Sequence, residues 1–505
     1  MSDPGARRLS LALAAAAVVL HAATSRGYGH FRDELYYVAC ARHLAFGYVD
    51  HPPLIAVVTA VTRALLGDST PALRFPVALA AGGVVFLTGR MAAELGGGAL
   101  AIVTASVAVM LAPVYVGLFG LLTMNAFEVL LWTLASLLLV RLLRTGDERL
   151  WVPFGAVVGL GLENKHSVLF FLVATVVGLA VTRARRHLAT ASFRRGMALA
   201  AVLFLPNVVW EIAHGVPTLE FLRNAQLYKN LARPPLAFLA EQVLVLSPLA
   251  LPLWLAGLGF LLAARDGRPY RALGWSFLVL LGLVMAAHGK TYYVAPAYPV
   301  LFAAGGLVVE RASRGRAVGW AVPVVVAATG LALAPLAKAV LPEETFIRYQ
   351  HALGQDPGAG VDERQALGKL PQTFADQHGW PELAATIARV YEGLPADDRM
   401  HACIFVRNYG EAAALDFFGP AHGLPPVLSP HNSYWLWGPG RCDGRVLVVL
   451  GGTADGVRQY YEDVVQADVV TCEYCMPGES NLPVFVARRP RIDLRAAWRR
   501  LKVFI

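Results

Sequence analysis

Long apolar runs are the feature that most constrains how this chain can fold. Runs of roughly 17 to 25 residues recur until about residue 337 and then stop, and each is long enough to cross a bilayer as a helix. The composition agrees, because 56% of the residues are hydrophobic and only 16% are charged, whereas soluble domains average about 25% charged residues. The sequence therefore predicts a polytopic α-helical membrane protein that ends in a soluble tail.

The apolar runs predict about eleven transmembrane helices. They lie near residues 9–24, 72–90, 97–117, 120–140, 150–163, 166–182, 196–212, 237–264, 272–287, 294–310 and 317–337. The first run could also be a cleaved signal peptide, but the many spans behind it favour an uncleaved helix. We therefore predict a transmembrane domain over 1–337, with a large first outer loop at 25–71, and a soluble domain over 338–505.

The basic residues predict the orientation. With Arg7 and Arg8 in the cytoplasm, each alternate loop that faces the same side also carries arginines, as the positive-inside rule requires. The first outer loop and the tail then both lie outside the membrane. The net charge of +9 is distributed as topology signals, so we expect a lipid bilayer and no nucleic acid as partner.

Ionisable residues collect on the predicted outer side. In "FRDELYY" the carboxylates of Asp33 and Glu34 are adjacent, so on a helix they point about 100° apart, and one acting residue with one supporting residue is expected. In "GYVDHPPL", Asp50 and His51 are either a helix cap and a loop histidine, or they bind a metal or a phosphate next to Asp33. The helix after the two prolines is predicted to lie along the membrane surface.

Three later segments bring further polar groups to the same side. "TMNAFEVLLW" places Asn125 and Glu128 on one helix face, where an ionisable residue at membrane depth is a functional candidate unless it has a structural partner. "GLENKHS" holds Lys165 and His166 in what could otherwise be a solvated turn. "HGKTYY" combines Lys290 with Tyr292 and Tyr293, which an interfacial aromatic belt would also explain.

The tail alternates strand-like and helix-like runs, which predicts a small α/β domain. "ACIFVR" (402–407), "RVLVVLGG" (445–452) and "PVFVARR" (483–489) are the candidate strands. The helix that follows Asn408 could accept an anion at its start, although domain packing is favoured. The five cysteines define no disulfide framework, and "CEYC" (472–475) has the spacing of a redox or zinc pair without a second pair.

Five motifs taken in order carry a family resemblance. "FRDELYY", "GYVDHPPL", "TMNAFEVLLW", "GLENKHS" and "GKTYYVAPAYPVLFAAGG" together resemble the bacterial branch of the dolichyl-phosphate-mannose protein mannosyltransferase family, which includes relatives of the lipid A aminoarabinose transferase. The resemblance covers about residues 7–337. It implies the C-type membrane glycosyltransferase fold and transfer of a sugar from a polyprenyl-phosphate donor to an extracytoplasmic acceptor, at the outer face of a bacterial inner membrane.

The resemblance also implies roles for residues. Asp33 matches the acidic residue that acts as a base or positions the acceptor, and Glu34 completes the catalytic pair. The expected donor-phosphate or substrate contacts are His51, Asn125, Lys165, His166, Lys290, Tyr292 and Tyr293. Asp50 and His51, which stand where aminoarabinose transferases have Glu-Lys, are the expected ligands of a divalent metal ion.

The sequence leaves alternatives open. Some relatives carry a second acidic residue where this chain has Asn125, so a mechanism without a metal competes with a two-carboxylate metal site. A transporter or flippase for a lipid-linked solute could use the same charges as a translocation path. A relative that binds a polyprenyl phosphate without turnover is the third possibility. The motifs name neither the sugar nor the acceptor, which could be a protein, a lipid or an envelope glycan.

Overall fold

The computed structural model of the chain describes residues 4–314, 316–355 and 363–505. Helices dominate throughout, and short 3₁₀ turns join many of them. The α-helices of the described residues are α1 Pro4–Ala23, α2 Arg32–Arg42, α3 Leu54–Leu66, α4 Thr70–Glu94, α5 Ala99–Leu111, α6 Pro113–Leu118, α7 Met124–Thr145, α8 Trp151–Leu162, α9 Val168–Ala180, α10 Ala191–Ala213, α11 Pro217–Asn224, α12 Pro235–Val245, α13 Leu251–Ala263, α14 Arg271–Ala286, α15 Tyr298–Ser313, α16 Ala321–Ala337, α17 Glu343–Ala352, α18 Gln372–Ala375, α19 Trp380–Glu392, α20 Ala396–His401, α21 Tyr409–Phe418, α22 Ser433–Trp437, α23 Ala454–Arg458 and α24 Leu494–Trp498.

The chain divides into two compact units. The first, which we call the helical unit, consists of Met1–Arg26, Leu65–Trp210 and Ala232–Pro342. The second, which we call the sheet unit, consists of Gly27–Ala64, Glu211–Leu231 and Glu343–Ile505. The boundary near residue 342 lies close to the predicted one at 337, but the sheet unit also includes two segments that were predicted as loops of the transmembrane domain.

Seven helical segments of the described residues are long and apolar enough to cross a membrane, or up to nine if two bent helix pairs each count as one span. The polytopic helical architecture is thus confirmed, and seven to nine segments of the described residues meet this criterion where the sequence predicts about eleven spans. The predicted spans at 97–117 and 150–163 account for part of the difference. Helix α5 has only 13 residues and α8 only 12, whereas a straight span needs about 20.

Close backbone contacts hold the helical unit together. A Cβ atom on Gly257 of α13 would collide with the carbonyl oxygen of Leu301 in α15, and one on Gly305 would collide with that of Leu253. Small residues allow this approach, which is the usual way that helices associate in lipid, where the hydrophobic effect does not drive them together. The two helices are therefore fixed against each other along their length.

The sheet unit is built on a mixed five-stranded sheet. Its strands are β1 Ala402–Phe405, β2 Val427–Leu428, β3 Val446–Leu450, β4 Tyr461–Val470 and β5 Leu482–Pro490, in the order β2-β1-β3-β5-β4. Strand β1 pairs in parallel with β2 and β3, whereas β5 pairs antiparallel with β3 and β4. The three predicted strands are present as β1, β3 and β5. Strand β2 is too short and the edge strand β4 too polar for the apolar pattern to indicate them.

Two disulfides lie in the sheet unit. Cys403 is bonded to Cys442, and Cys472 is bonded to Cys475, whereas Cys40 is a buried free thiol. The sequence did not predict the first pairing because 39 residues separate the two cysteines. The connector before the sheet includes helix α17, and its residues 356–362 lie outside the described part of the chain.

Candidate functional site

Helix α2 places the two predicted acidic residues in different environments. Both belong to its first turn, where the unpaired backbone N–H groups favour negative charge. Glu34 is fully buried, and its Oε2 accepts a hydrogen bond of 2.8 Å from the backbone N–H of Phe31. Glu34 therefore caps its own helix, and its place in a catalytic pair with Asp33 stays a prediction.

Asp33 is the accessible carboxylate of this pair. Its side chain is 32% exposed, and its Oδ1 accepts a hydrogen bond of 2.8 Å from the hydroxyl of Tyr409 on α21. The Nε atom of Arg32 lies 3.9 Å from the same oxygen. Asp33 is thus partly desolvated and held by one neutral donor and one cation, while part of it remains open to a reactant.

A buried arginine, Arg32, contacts Asp33 and two further residues around it. Arg32 lies over the ring of Tyr409, 5.4 Å from its centroid, and its Nη2 is 3.5 Å from Oδ2 of Asp376. Burial raises the pKa of Asp376 to about 6, although Arg32 opposes that shift. A Cβ atom on Gly410 would meet the Cγ and Cδ atoms of Arg32, so the glycine gives α2 and α21 room to approach.

The start of α21 is occupied by residues of the sheet unit itself. Asn408 accepts from the backbone N–H of Glu411, and Glu411 accepts from the Nε of Arg407 at 3.0 Å. Glu479 accepts from Asn408, and burial followed by repulsion from Glu411 raises its pKa to about 8. The predicted anion position at this helix start is therefore filled by side chains, which agrees with the packing role that the sequence favoured.

Asp50 and His51 are engaged inside the sheet unit. Oδ1 of Asp50 accepts a hydrogen bond of 2.9 Å from Tyr36, and burial, followed by smaller effects that include the charge of Asp33, raises the pKa of Asp50. The Nδ1 of His51 lies 2.8 Å from the carbonyl oxygen of Pro52, and its Nε2 lies 3.7 Å from Sγ of Cys40.

Asp50 and His51 are a poor fit to a metal ion or a phosphate. His51 is only 1% exposed, and both its ring nitrogens have partners. Within the described residues, no group of three or more histidine, cysteine, aspartate or glutamate side chains could hold a metal ion. The metal and phosphate roles of these two residues stay predictions, and the mechanism below uses no step at a metal.

In the helical unit, a second cluster forms around Lys165. Its Nζ donates to Oδ1 of Asn125 at 2.7 Å and to Oε2 of Glu128 at 2.8 Å. Glu128 is only 2% exposed and also accepts a hydrogen bond from the hydroxyl of Ser167. An apolar helix thus carries a buried carboxylate whose charge is compensated by one lysine.

Tyrosine rings cover the same ammonium group. The Nζ of Lys165 lies 4.3 Å from the ring centroid of Tyr293 and 5.7 Å from that of Tyr292, within the range of cation–π attraction. The sequence named these tyrosines with Lys290, which precedes the 3₁₀ helix Thr291–Ala297 and whose carbonyl oxygen accepts from the backbone N–H of Tyr293. Three of the predicted motifs therefore converge on one cation.

Two neighbours fix the turn that carries Lys165. The side chain of Asn164 is fully buried and donates to the carbonyl oxygen of Met124 at 2.8 Å, at the start of α7. His166 has its Nε2 3.1 Å from Oδ1 of Asn207 in α10. His166 thus lies beside α10, and the contacts that surround Lys165 do not include it.

Several residues of both clusters were not predicted from the sequence. Arg32, Asp376 and Tyr409 complete the surroundings of Asp33. Arg32 lies within "FRDELYY" and Tyr409 follows Asn408, whereas Asp376 lies outside every motif that the sequence singled out. In the helical unit, Arg233 pairs with Glu241, which accepts from Thr291 next to the tyrosines. Arg233 before α12 and Glu241 within this otherwise apolar helix were the available signal for the pair.

Comparison with known proteins supplies independent evidence on family and fold. The family model described as dolichyl-phosphate-mannose-protein mannosyltransferase matches residues 50–210, which include Asn125, Glu128, Lys165 and His166 but not Asp33. Comparison with curated protein sequences finds no match.

Solved structures share the fold. The crystal structure of ArnT from Cupriavidus metallidurans bound to undecaprenyl phosphate is 14% identical with a TM-score of 0.61, over 94% of this chain and 97% of that chain. Its apo state is 16% identical with a TM-score of 0.60 over the same shares. The arabinofuranosyltransferase AftD from Mycobacteria is 16% identical with a TM-score of 0.52, over 96% of this chain and 40% of that chain.

These comparisons confirm the resemblance on which the sequence analysis relied. The likeness to ArnT extends over nearly the whole of both chains and shows a common fold, whereas the family match rests on residues 50–210. The chain is therefore a multi-pass membrane protein with the fold of ArnT, and its residues 50–210 are similar to the dolichyl-phosphate-mannose-protein mannosyltransferase family.

Proposed function

We propose that this protein transfers a sugar from a polyprenyl-phosphate donor to an acceptor on the outer face of a bacterial cytoplasmic membrane. The observation that carries the proposal is the family match over residues 50–210, because these residues contain Lys165 together with its partners Asn125 and Glu128. The likeness to ArnT, which was crystallised with undecaprenyl phosphate, supports a donor of that lipid class.

The proposed chemistry is a single displacement. Asp33 takes the proton of the acceptor hydroxyl, the acceptor oxygen bonds to the anomeric carbon, and the bond from that carbon to the lipid phosphate breaks. The phosphate leaves with the electron pair and needs cationic stabilisation, which we assign to Lys165. One attack of this kind inverts the anomeric centre.

The environments of Asp33 and Lys165 suit their proposed roles as base and as cation. Asp33 is partly exposed and keeps one oxygen for a substrate, since within the described chain only Oδ1 accepts a hydrogen bond. Lys165 is held by two acceptors and two tyrosine rings, so its ammonium is oriented before the phosphate arrives. Both groups are preorganised, which is the main source of catalytic electrostatics.

Glu34 acts as a positioning residue in this mechanism. It caps the helix that carries Asp33 and does not meet a substrate. Lys290, Tyr292, Tyr293 and Asn125 are assigned to the donor side, because Asn125 and both tyrosines surround Lys165 and Lys290 immediately precedes them in the chain. His166 and His51 have no step of their own here.

The outward location of the sheet unit has its own support. Its two disulfides are typical of an oxidising compartment, outside the bacterial cytoplasm. The arginine-rich loops, with Arg7 and Arg8 before the first span, place the opposite side in the cytoplasm by the positive-inside rule.

Sugar transfer in proteoliposomes tests the proposal. The protein is supplied with short-chain polyprenyl-phosphate sugars, and transfer or hydrolysis is followed for the parent, Asp33→Asn and the exposed-site control Glu462→Gln. We expect turnover by the parent and the control, and a loss of 10²-fold or more in Asp33→Asn, as is typical for a general base. Full activity in a folded Asp33→Asn protein would refute the role of Asp33.

The same assay separates the alternatives. A folded parent that binds a donor without consuming it is a binding protein, and one that moves the donor across the bilayer is a flippase. Either result overturns the transferase proposal. Consumption of one donor out of the series identifies the sugar.

A further inference from the structure

The sheet unit contains a cavity that takes no part in the proposed transfer. Its volume is about 430 Å³, within the range of about 300 to 1,000 Å³ usual for small-molecule sites. Its walls come from His43 at the end of α2, the strands β1 and β2, and the segment 437–443. All of these belong to one compact unit.

Aromatic rings form one wall. Trp437 is stacked on His43 with the ring centroids 4.2 Å apart and the planes at 16°. Tyr434 packs edge-on against Trp437 at 4.7 Å. All three rings line the cavity. Rings that offer an apolar surface beside polar groups suit a ligand with the same mixed character, such as a sugar ring with its C–H face and its hydroxyls.

Carboxylates supply hydrogen-bond acceptors to the same space. Oδ2 of Asp416 accepts a hydrogen bond of 2.6 Å from Tyr434, while its Oδ1 accepts none from the described residues. Asp443 also lines the cavity. Its Oδ2 lies 3.4 Å from Nδ1 of His401 and 3.3 Å from Nε of Arg445, and its Oδ1 accepts a hydrogen bond from the backbone N–H of Arg445. A fixed carboxylate oxygen beside an aromatic ring can accept a ligand hydroxyl.

A disulfide fixes the shape of the cavity. Both members of the pair Cys403–Cys442 are lining residues, one on β1 and one in the segment 437–443. The covalent bond holds this wall against the sheet, so the site does not have to be ordered by its ligand. A preformed site loses less entropy on binding.

We propose that this cavity binds a saccharide unit, with Trp437 and His43 against the ring and Asp416 as acceptor for a hydroxyl. The chemical class is a neutral sugar residue of a glycan, because the lining combines aromatic rings and two carboxylates with the basic side chains of Arg441 and His401, so that no single sign of charge dominates. Binding here requires neither the donor nor turnover, so the inference stands or falls independently of the proposed transfer.

Saturation-transfer NMR on the full-length protein in nanodiscs tests the proposal. The probes are the methyl glycosides of glucose, mannose, galactose and N-acetylglucosamine. The variants are Trp437→Ala and Asp416→Asn, and the control is Tyr460→Ala, an exposed tyrosine of the same unit outside the cavity. Asp416→Asn keeps the acceptor for Tyr434 and the side-chain volume, so it carries the test even where Trp437→Ala fails to fold.

We expect at least one glycoside to bind the parent and the Tyr460→Ala control equally. Its Kd should rise about tenfold in Asp416→Asn, because a charge-assisted hydrogen bond is lost, and its signal should vanish in Trp437→Ala. Binding should persist in Asp33→Asn. The proposal is overturned if no glycoside binds a folded parent, if binding survives both cavity variants, or if Asp33→Asn abolishes it, since the signal would then come from the transfer site.

Discussion

The hydroxyl of Tyr409 donates a hydrogen bond of 2.8 Å to Oδ1 of Asp33, across 376 positions of the sequence. The bond joins helix α2, which follows the first apolar run, to helix α21 of the sheet unit. It holds one oxygen of the carboxylate while the other keeps no hydrogen-bond partner among the described residues. The tail therefore contributes directly to the orientation of the proposed base.

Tyr409→Phe tests this orientation. The change removes only the hydroxyl, so we expect kcat to fall about tenfold or more with little change in KM, as for the loss of a hydrogen bond to a charged group. Steady-state transfer kinetics measure both constants.

Tyr461→Phe is the matched control for that variant. Tyr461 is also buried in the sheet unit, and its hydroxyl donates to the carbonyl oxygen of Gly444 at 2.8 Å. Both variants lose one buried hydroxyl bond, so they should lose similar stability. Equal kcat values for the two would mean that Tyr409 acts only through folding.

Glu34→Gln separates the supporting carboxylate from the acting one. The amide oxygen of glutamine can still accept from the backbone N–H of Phe31, so we expect transfer within a few-fold of the parent. Glu34→Ala should lose about 0.5 to 2 kcal/mol of stability, the usual cost of removing a helix cap. Thermal unfolding and initial rates check the two expectations, and a rate for Glu34→Gln as low as that of Asp33→Asn would make Glu34 catalytic.

The sequence could predict those parts of the fold and site that have local signals. Apolar runs indicated the spans, β-branched runs indicated three strands, and polar or charged residues within or beside apolar runs indicated Asn125, Lys165 and Asp33. The cluster around Lys165 was within reach because an ionisable residue at membrane depth needs a partner.

The rest of the fold and of the candidate site depends on contacts between segments that are distant in the sequence. Nothing near Tyr409 or Asp376 indicates that these residues surround Arg32, and the inclusion of Gly27–Ala64 in the sheet unit depends on the packing of α2 against α21. Helix lengths also depend on such packing, because α5 and α8 end after 13 and 12 residues although their apolar runs look longer.

The buried carboxyl of Glu479 should make the stability of the sheet unit depend on pH. Its pKa is raised to about 8 by burial first and by Glu411 second, so between about pH 4.5 and 8 the folded state binds the proton more tightly than the unfolded state. The contribution of Glu479 to the free energy of unfolding is fully present below that window. It falls as the pH rises through the window, by up to about 1.4 kcal/mol per pH unit.

Thermal unfolding of the full chain between pH 5 and 8 measures this effect. As the pH rises, the melting temperature of Glu479→Gln should increase relative to that of the parent. The increase should be about 2 to 4 °C for each kcal/mol of stability that the parent loses. Glu462→Gln, on the exposed edge strand, should follow the parent. Parallel curves for all three proteins would contradict the assignment.

Metal dependence is a separate prediction. Because both ring nitrogens of His51 have partners and Asp50 accepts from Tyr36, we expect chelation to leave the transfer rate unchanged. His51→Gln should lower the melting temperature without creating a requirement for added metal. A rate that drops with chelator and returns with Mg²⁺ or Mn²⁺ would restore the metal role first predicted for these residues.

Substitutions of Lys165 and Glu128 test whether this buried pair takes part in catalysis as well as in folding. Lys165→Met leaves Glu128 buried without its counter-ion, which typically costs about 3 to 5 kcal/mol, so the single variant should be poorly stable as well as inactive. In the double variant Lys165→Met with Glu128→Gln no buried charge is left, and the melting temperature should largely recover. Transfer should stay low, because the cation assigned to the departing phosphate has been removed. Recovery of both stability and transfer in the double variant would reduce the pair to a structural element and leave the phosphate to another cation.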